Sequence, residues 1–222
     1  MSLHAALLFA SWARVFRCVR RCLGSPVAVA AGVRWGMTTT NSPSSPLAKA
    51  IADVALLRGT FTLRSGKTSS YYLDKYLFST RPELLKQLAP LFAERVRVVE
   101  KRTGKKVLRL AGAELGGIPL VTAASLETGL PCIFVRNKKK DYGTAKQLEG
   151  VVNKGDAVVL VEDVATTGGQ ALEAVASLRE LGADVLAIIA TIDRLEGARE
   201  NVEREGLIFE ALFTKRELGV GE

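Results

Sequence analysis

The chain has 222 residues, of which 48% are hydrophobic, so it is long enough and apolar enough for one α/β domain with additional segments. Its formal net charge of +8 is uneven, because residues 1–44 hold five arginines and no acid, and the remainder carries 26 basic and 23 acidic side chains. This remainder, residues 45–222, is called the body of the chain below. Its net charge of only +3 gives no support for nucleic-acid binding.

Histidine and cysteine chemistry is nearly absent from the body of the chain. The only histidine, His4, and two of the three cysteines, Cys18 and Cys22, lie in the first 44 residues. The body must therefore work without histidine as a base, nucleophile or metal ligand. Cys132 alone cannot build a disulfide framework, so we expect reducing surroundings and a cytoplasmic protein.

The N-terminal leader, residues 1–44, has two interpretations. Residues 1–36 are apolar, contain arginine and lack acids, which is typical of a plastid or mitochondrial transit peptide. Met37 opens a polar tract that also suits a natural start, in which case residues 1–36 are an upstream extension. The apolar run at residues 5–13 is too short and broken to span a membrane. Under either interpretation we expect the leader to be disordered and exclude it from the fold.

The first elements of the body are a helix and a hairpin. Residues 47–58 are predicted to form a short amphipathic helix that ends at Gly59. Residues 61–74 place a basic Ser-Gly turn between two strand-like runs, which predicts a hairpin. Its aromatic and basic side chains suit a flat anionic ligand, although an edge hairpin with surface charges has the same pattern. Residues 82–102 are predicted to form the next helix, with Gly104 beyond its end.

Strands then alternate with helices, which predicts a parallel sheet flanked by helices. The predicted strands are residues 107–111, 131–136, 156–164, 184–193 and 207–214, the last of them at an edge. The predicted helices between them are residues 118–128 and 169–181. A glycine-rich loop, residues 112–117, follows the first of these strands.

The stretch of residues 158–170 carries the most specific chemistry. An apolar strand ends at Glu162 and Asp163, and Thr166-Thr167-Gly168-Gly169 then leads into a helix. Such a loop presents N–H groups at a helix N-terminus, which suits a phosphate. The acids suit sugar hydroxyls or a metal that arrives with the ligand. The stretch predicts a sugar-phosphate site. An ordinary strand-to-helix turn is the alternative, which the paired acids disfavour.

A basic loop follows the predicted strand 131–136 and extends to Gly150. Runs of charge are usually solvated faces. This run interrupts an α/β core, which favours a lid that brings positive charge onto an anion. A nucleic-acid patch is the other interpretation, but it lacks aromatic side chains other than Tyr142.

With these parts in this order, the chain resembles the orotate phosphoribosyltransferases, a family of type I phosphoribosyltransferases. Residues 158–170 resemble a motif that purine phosphoribosyltransferases share. Three further segments narrow the match: Leu63-Arg64-Ser65-Gly66 through Asp74, Arg136 through Gly150, and Ile192-Asp193-Arg194. The resemblance implies an α/β fold of the type I phosphoribosyltransferase class, with a parallel sheet flanked by helices. It also implies one domain, residues 45–222, with a small N-terminal hood at residues 45–80.

The resemblance implies a glycosyltransferase of the pentosyltransferase class. It would transfer ribose 5-phosphate from phosphoribosyl pyrophosphate to N1 of orotate, giving orotidine 5′-monophosphate and pyrophosphate in UMP biosynthesis. An oxocarbenium-like transition state makes positioning and leaving-group stabilisation the main catalytic effects. The family's Mg²⁺ is expected to be held mainly by the substrate, without an assigned protein ligand. A homodimer that shares loop 136–150 across its interface is implied, and neither nucleic acid nor a membrane is an expected partner.

The resemblance also assigns site residues. Those for phosphoribosyl pyrophosphate are Arg136, Asn137, Lys140, Tyr142, Glu162, Asp163, Val164, Ala165, Thr166, Thr167, Gly168, Gly169 and Gln170. Those for orotate are Arg64, Tyr72, Thr166 and Arg194. The expected catalytic residues are Lys140, Arg136 and Asp163, with Lys140 the leading candidate for stabilising the departing pyrophosphate.

The chain departs from the family pattern at several of these positions. Asn137 stands where a lysine or arginine is frequent, so Lys138 or Lys139 is a candidate for that phosphate contact. Arg64 replaces a common lysine and keeps its charge. Leu115-Gly116 stands where some members carry Tyr-Lys.

Two other functions compete with this one. A regulatory sensor with the same fold would bind phosphoribosyl pyrophosphate or a nucleotide without turnover, but it would not need Lys140 in a basic loop. A purine phosphoribosyltransferase would share residues 158–170. Arg64 and Arg194 instead favour an anionic base, because guanidinium groups pair with carboxylates.

Overall fold

The computed structural model describes residues 44–62, 66, 68–137 and 147–221. Residues 1–43 of the predicted leader lie outside the described residues, and so do Arg64, Lys140 and Tyr142. Their assignments stay predictions, and so does the proposed division into leader, hood and body.

Helix α1 (Pro46–Ala55) begins at Ser45, whose hydroxyl accepts a hydrogen bond from the N–H of Ala48 at 3.1 Å. The predicted extension of this helix to residue 58 is wrong. Strand β1 (Leu56–Thr62) starts directly after α1 and pairs antiparallel with β2 (Thr68–Leu73), which confirms the predicted hairpin. Cross-strand pairing thus overrides the helical periodicity of these residues.

Two helices connect this hairpin to the sheet. The short helix α2 (Lys75–Ser79), which the sequence analysis missed, begins at Asp74, whose carboxylate accepts from the N–H of Tyr76 at 3.0 Å. Helix α3 (Pro82–Thr103) matches its prediction, with proline in its first turn and Gly104 beyond its end. Its buried face is apolar and includes Leu88, Phe92 and Val99.

Six strands form the central sheet, in the order β5-β4-β3-β6-β7-β8. They are β3 (Arg109–Ala113), β4 (Cys132–Val135), β5 (Leu148–Glu149), β6 (Ala157–Ala165), β7 (Asp184–Asp193) and β8 (Ile208–Thr214). All neighbours pair parallel except β4 and β5. The first predicted strand of the sheet is displaced by two residues, because Gly112 pairs with Phe134 and Val161 inside the sheet rather than belonging to a loop.

Helices cover both faces of this sheet. Strand β6 alternates between two cores, since Val159 and Val161 pack in one apolar cluster and Val158 and Leu160 in the other. The first cluster takes residues from α1, α3 and α4 (Gly117–Thr128). The second takes residues from α5 (Gly169–Glu180) and α6 (Ala198–Arg204). The predicted α/β class with a parallel sheet flanked by helices is confirmed.

The parallel order determines where functional residues meet. The segments after β3, β4, β6 and β7 all lie at the carboxyl edge of the sheet, where ligands bind in open α/β folds. None of the helices within the described ranges combines the length and apolar character that crossing a membrane requires.

Candidate active site

The two acids near the end of β6 are buried. Glu162 and Asp163 expose only 6% and 1% of their surface. The Lys75 Nζ lies 3.0 Å from Asp163 Oδ2 and 3.3 Å from Oδ1, and the N–H of Val164 donates to Oδ1 at 2.6 Å. The sequence analysis missed Lys75, whose only signal was its position directly after the Tyr-Leu-Asp segment.

The acid pair is electrostatically asymmetric. Burial first, and the charge of Asp163 second, raise the pKa of Glu162 well above its ordinary value. Burial acts to lower the pKa of Lys75, but the nearby Asp163 carboxylate outweighs it and the pKa is raised. The arrangement thus favours the charged form of Lys75 and disfavours ionisation of Glu162. Among the described residues, Glu162 Oε2 has no hydrogen-bond partner.

The predicted phosphate loop ends at the start of α5. Gly168 adopts a φ of 78°, a left-handed conformation that favours glycine, and it caps the helix. The Asn201 Nδ2 of α6 donates to the carbonyl of Thr167 at 2.8 Å. Helix α6, which the sequence analysis missed, therefore fixes the loop from outside. The first N–H groups of a helix have no carbonyl within the helix to bond, so they suit a phosphate.

Asn137 links three of the segments at the carboxyl edge. Its N–H donates to Glu114 Oε1 at 2.9 Å, and its side-chain amide donates to the Glu114 carbonyl at 3.3 Å. Its Oδ1 accepts from Gln170 Nε2 at 3.2 Å. The structure thus brings together Asn137 and Gln170, two predicted site residues, and adds Glu114 from the segment that follows β3.

Arg136 stands at the start of the basic loop. Its Nη1 lies 3.8 Å from Glu149 Oε1, and its N–H donates to the carbonyl of Gln147 at 2.9 Å. These contacts hold the two described ends of the loop next to each other. Its Nε is buried and has no hydrogen-bond partner among the described residues.

Arg194 lies beside the phosphate loop and is only 19% exposed. Its N–H donates to the carbonyl of Ala165 at 2.9 Å. Its guanidinium stacks 5.7 Å from the centre of the Tyr71 ring, with Nη2 3.4 Å from the Tyr71 hydroxyl and 2.9 Å from Glu196 Oε1. This is a cation presented on an aromatic face.

Tyr72, which the sequence analysis grouped with Arg194, lies elsewhere. Its ring centre is 5.7 Å from that of Phe61, and 45% of the residue is exposed. Successive residues of a strand point to opposite faces, so Tyr71 rather than Tyr72 reaches Arg194.

The carboxyl edge of the sheet therefore brings three chemical features together. It offers a helix N-terminus for a phosphate, a buried acid pair for hydroxyl groups, and an arginine on a tyrosine ring for a planar anion. Within residues 44–62, 66, 68–137 and 147–221, no three His, Cys, Asp or Glu side chains converge as a metal site.

Curated relatives cover most of the chain. The orotate phosphoribosyltransferase of Pyrococcus horikoshii is 48% identical over 160 residues, which are 72% of this chain and 84% of the relative. That of Methanocaldococcus jannaschii is 42% identical over 175 residues, 78% of this chain and 96% of the relative. No protein-family model matches the chain.

Solved structures have the same fold. Orotate phosphoribosyltransferase from Aeropyrum pernix superposes with a TM-score of 0.67 at 32% identity, covering 78% of this chain and 95% of that one. The enzyme of Mycobacterium tuberculosis in complex with phosphoribosyl pyrophosphate gives 0.62 at 28% identity, covering 78% and 97%. Adenine phosphoribosyltransferase from Leishmania donovani, at 19% identity and a TM-score of 0.59, has a related fold.

Proposed function

The chain belongs to the orotate phosphoribosyltransferase family, and we infer that it transfers ribose 5-phosphate from phosphoribosyl pyrophosphate to N1 of orotate. Orotidine 5′-monophosphate and pyrophosphate are the products, and the reaction serves pyrimidine biosynthesis. The hydrogen bond between Arg194 and Ala165 is the observation that carries this inference. It places Arg194, the proposed contact for the nucleobase, next to the start of the predicted phosphate loop. A reaction that joins a nucleobase to a sugar phosphate requires these two sites to be neighbours.

Residues 164–170 are the proposed 5′-phosphate site. Backbone N–H groups at the start of α5 would donate to the phosphate oxygens, and the helix dipole would favour the negative charge. The hydrogen bond from Asn201 to Thr167 supports this role, because it holds the loop in one conformation before the ligand arrives.

Glu162 and Asp163 are the proposed ribose site. A carboxylate such as that of Asp163 accepts hydrogen bonds from hydroxyl groups, and a carboxyl group that takes up a proton can also donate one. The raised pKa of Glu162 supports this division of roles.

Arg136, Asn137, Lys140 and Tyr142 are proposed to act on the pyrophosphate. Cations placed where negative charge develops stabilise the transition state more than the ground state. Arg136 supports this assignment because its partly buried guanidinium lies at the carboxyl edge. Lys140 and Tyr142 lie outside the described residues, and their roles rest on the family resemblance.

Arg194 and Tyr71 are the proposed orotate site, together with Arg64 and Thr166 from the sequence analysis. A guanidinium pairs with a carboxylate, and an aromatic ring can stack on the planar base. The Glu196 carboxylate on Arg194 supports this role, because it shows that a carboxylate fits there.

We propose that Mg²⁺ enters with phosphoribosyl pyrophosphate and is held mainly by the substrate. Mg²⁺ commonly keeps several waters and binds substrate phosphate oxygens, so the ion needs no dedicated cage of protein side chains. Bound Mg²⁺ would neutralise charge on the pyrophosphate.

We also propose a homodimer in which loop 136–150 reaches the neighbouring subunit's site. The contacts of Arg136 with Gln147 and Glu149 bring the two described ends of this loop together, and the dimer itself is proposed on the family resemblance. A cytoplasmic location is proposed as well, with import into an organelle if residues 1–36 act as a transit peptide.

The test offers the protein phosphoribosyl pyrophosphate and Mg²⁺ with orotate, uracil, adenine or hypoxanthine, and identifies the nucleotides by chromatography. We expect orotidine 5′-monophosphate from orotate and no nucleotide from the other bases. A nucleotide from adenine or hypoxanthine would make the protein a purine phosphoribosyltransferase. Binding of phosphoribosyl pyrophosphate without any nucleotide would make it a sensor.

A further inference from the structure

Lys75, the first residue of α2, pairs with Asp163, an acid that lies 88 positions later in the chain. Its ammonium reaches both oxygens of Asp163, at 3.0 and 3.3 Å. The two side chains differ in exposure, 32% for Lys75 and 1% for Asp163. Lys75 therefore covers the buried carboxylate from the solvent side.

Gly116 packs against the same carboxylate on another side and leaves room for it. A Cβ at residue 116 would overlap Asp163 Oδ2 and lie 2.6 Å from its Cγ. The Asp163 carboxylate thus occupies the space that a side chain at residue 116 would need. With the N–H of Val164 on Oδ1, the group has a neighbour on three sides and little freedom to rotate.

Among the described residues, few groups act electrostatically on the acid pair. Burial raises the pKa of Glu162, the charge of Asp163 adds to this, and Lys75 acts in the opposite direction. Burial acts to lower the pKa of Lys75, whereas Asp163 raises it and Tyr76, whose ring centre lies 5.6 Å from Nζ, adds to the rise. Lys75 is therefore the cation that contacts the Asp163 carboxylate in the described part of the chain.

We propose that Lys75 is a positioning residue for phosphoribosyl pyrophosphate. It holds the Asp163 carboxylate in one orientation against Gly116, so that this group can accept hydrogen bonds from the ribose hydroxyl groups. This inference rests on the proposed function of the acid pair. Lys75 acts on the substrate through Asp163, and orotate binding does not depend on it.

The test compares Lys75→Met and Lys75→Arg with wild type, measuring kcat and the KM for each substrate. Lys75→Met should raise KM for phosphoribosyl pyrophosphate roughly tenfold or more, because a hydrogen bond between charged groups is lost. It should leave KM for orotate nearly unchanged. Lys75→Arg should restore much of the loss.

Lys49→Met is the matched control. Lys49 also pairs with an aspartate, Asp53, at 2.6 Å, but on an exposed surface of α1. Its loss should leave both KM values at wild-type levels. If Lys75→Met does not fold, Lys75→Gln keeps a donor and most of the side-chain length, and the same measurements apply.

A double-mutant cycle separates positioning from general stabilisation. If Lys75 acts through Asp163, adding Lys75→Met to Asp163→Asn should weaken phosphoribosyl pyrophosphate binding, measured by calorimetry, no further. Additive losses would overturn the inference, as would a Lys75→Met enzyme with normal kinetics for both substrates. A wild-type protein that binds no phosphoribosyl pyrophosphate would overturn the proposed function itself.

Discussion

Two adjacent tyrosines of β2 differ in their surroundings. Tyr71 stacks on Arg194, whereas Tyr72 packs against Phe61 and is largely exposed. The Tyr-Tyr pair in the sequence gives no means of choosing between them, because the face of a strand depends on its partners. The sequence analysis selected Tyr72, and the geometry favours Tyr71.

Replacing each tyrosine tests this choice. Tyr71→Ala should raise KM for orotate roughly fivefold, because it removes the ring on which Arg194 stacks. Tyr72→Ala is the control, and it should leave that KM close to wild type. Steady-state kinetics with saturating phosphoribosyl pyrophosphate measures both, and the reverse ranking would return the role to Tyr72.

Contacts between residues that are far apart in the chain explain most of what sequence reasoning missed. It identified Asp163 from its place at the end of an apolar run, but not Lys75, which lies 88 positions away. It placed Asn137 among the residues for phosphoribosyl pyrophosphate, at a position where a lysine or arginine is frequent. It did not predict the three hydrogen bonds that join Asn137 to Glu114 and Gln170. No local pattern encodes either pairing.

At the scale of elements, the buried strands were the most predictable. The predicted bounds of β7 match the structure, and those of β6 differ by one residue at each end. A long apolar run that ends in an acid indicates clearly where a buried strand begins and ends. The short helix α6 was missed, since Ala198 and Val202 are its only buried residues and give too weak a periodicity. Yet α6 supplies Asn201, which fixes the phosphate loop.

At the scale of the molecule, the order of strands brings the site together. Residues from the hairpin, from α2 and from the segments after β3, β4, β6 and β7 meet at one edge of the sheet. The sequence analysis predicted the parallel sheet and hence a shared carboxyl edge. It did not predict how the hairpin packs against this edge of the sheet. That packing places Tyr71 and Lys75 at the candidate site.

The proposed dimer has a test based on subunit mixing. Lys140→Ala removes the loop cation, and Asp163→Asn impairs the ribose site, so each variant alone should lose most of its turnover. If the loop acts in the neighbouring subunit's site, a mixed dimer contains one site with both residues intact. Unfolding and refolding the two variants together should then restore about a quarter of wild-type activity.

Subunit mixing also distinguishes the two arrangements of the loop. A loop that acts in its own subunit would leave every mixed site defective, and no activity would return. Wild-type protein taken through the same refolding serves as the control for recovery. A chain that elutes as a monomer in sizing experiments would contradict the dimer directly.

The most direct test of the account is the fall in orotate absorbance for wild type, Arg194→Ala and Arg199→Ala, each with phosphoribosyl pyrophosphate and Mg²⁺. Arg199 is a matched control, because it also stacks on an aromatic ring, Phe209 at 5.2 Å, and pairs with Glu203 at 3.1 Å. We predict that wild type and Arg199→Ala consume orotate only when all components are present. Arg194→Ala should raise KM for orotate on the order of a hundredfold, with little change for phosphoribosyl pyrophosphate. No consumption by wild type, or equal losses for both substrates, would contradict the account.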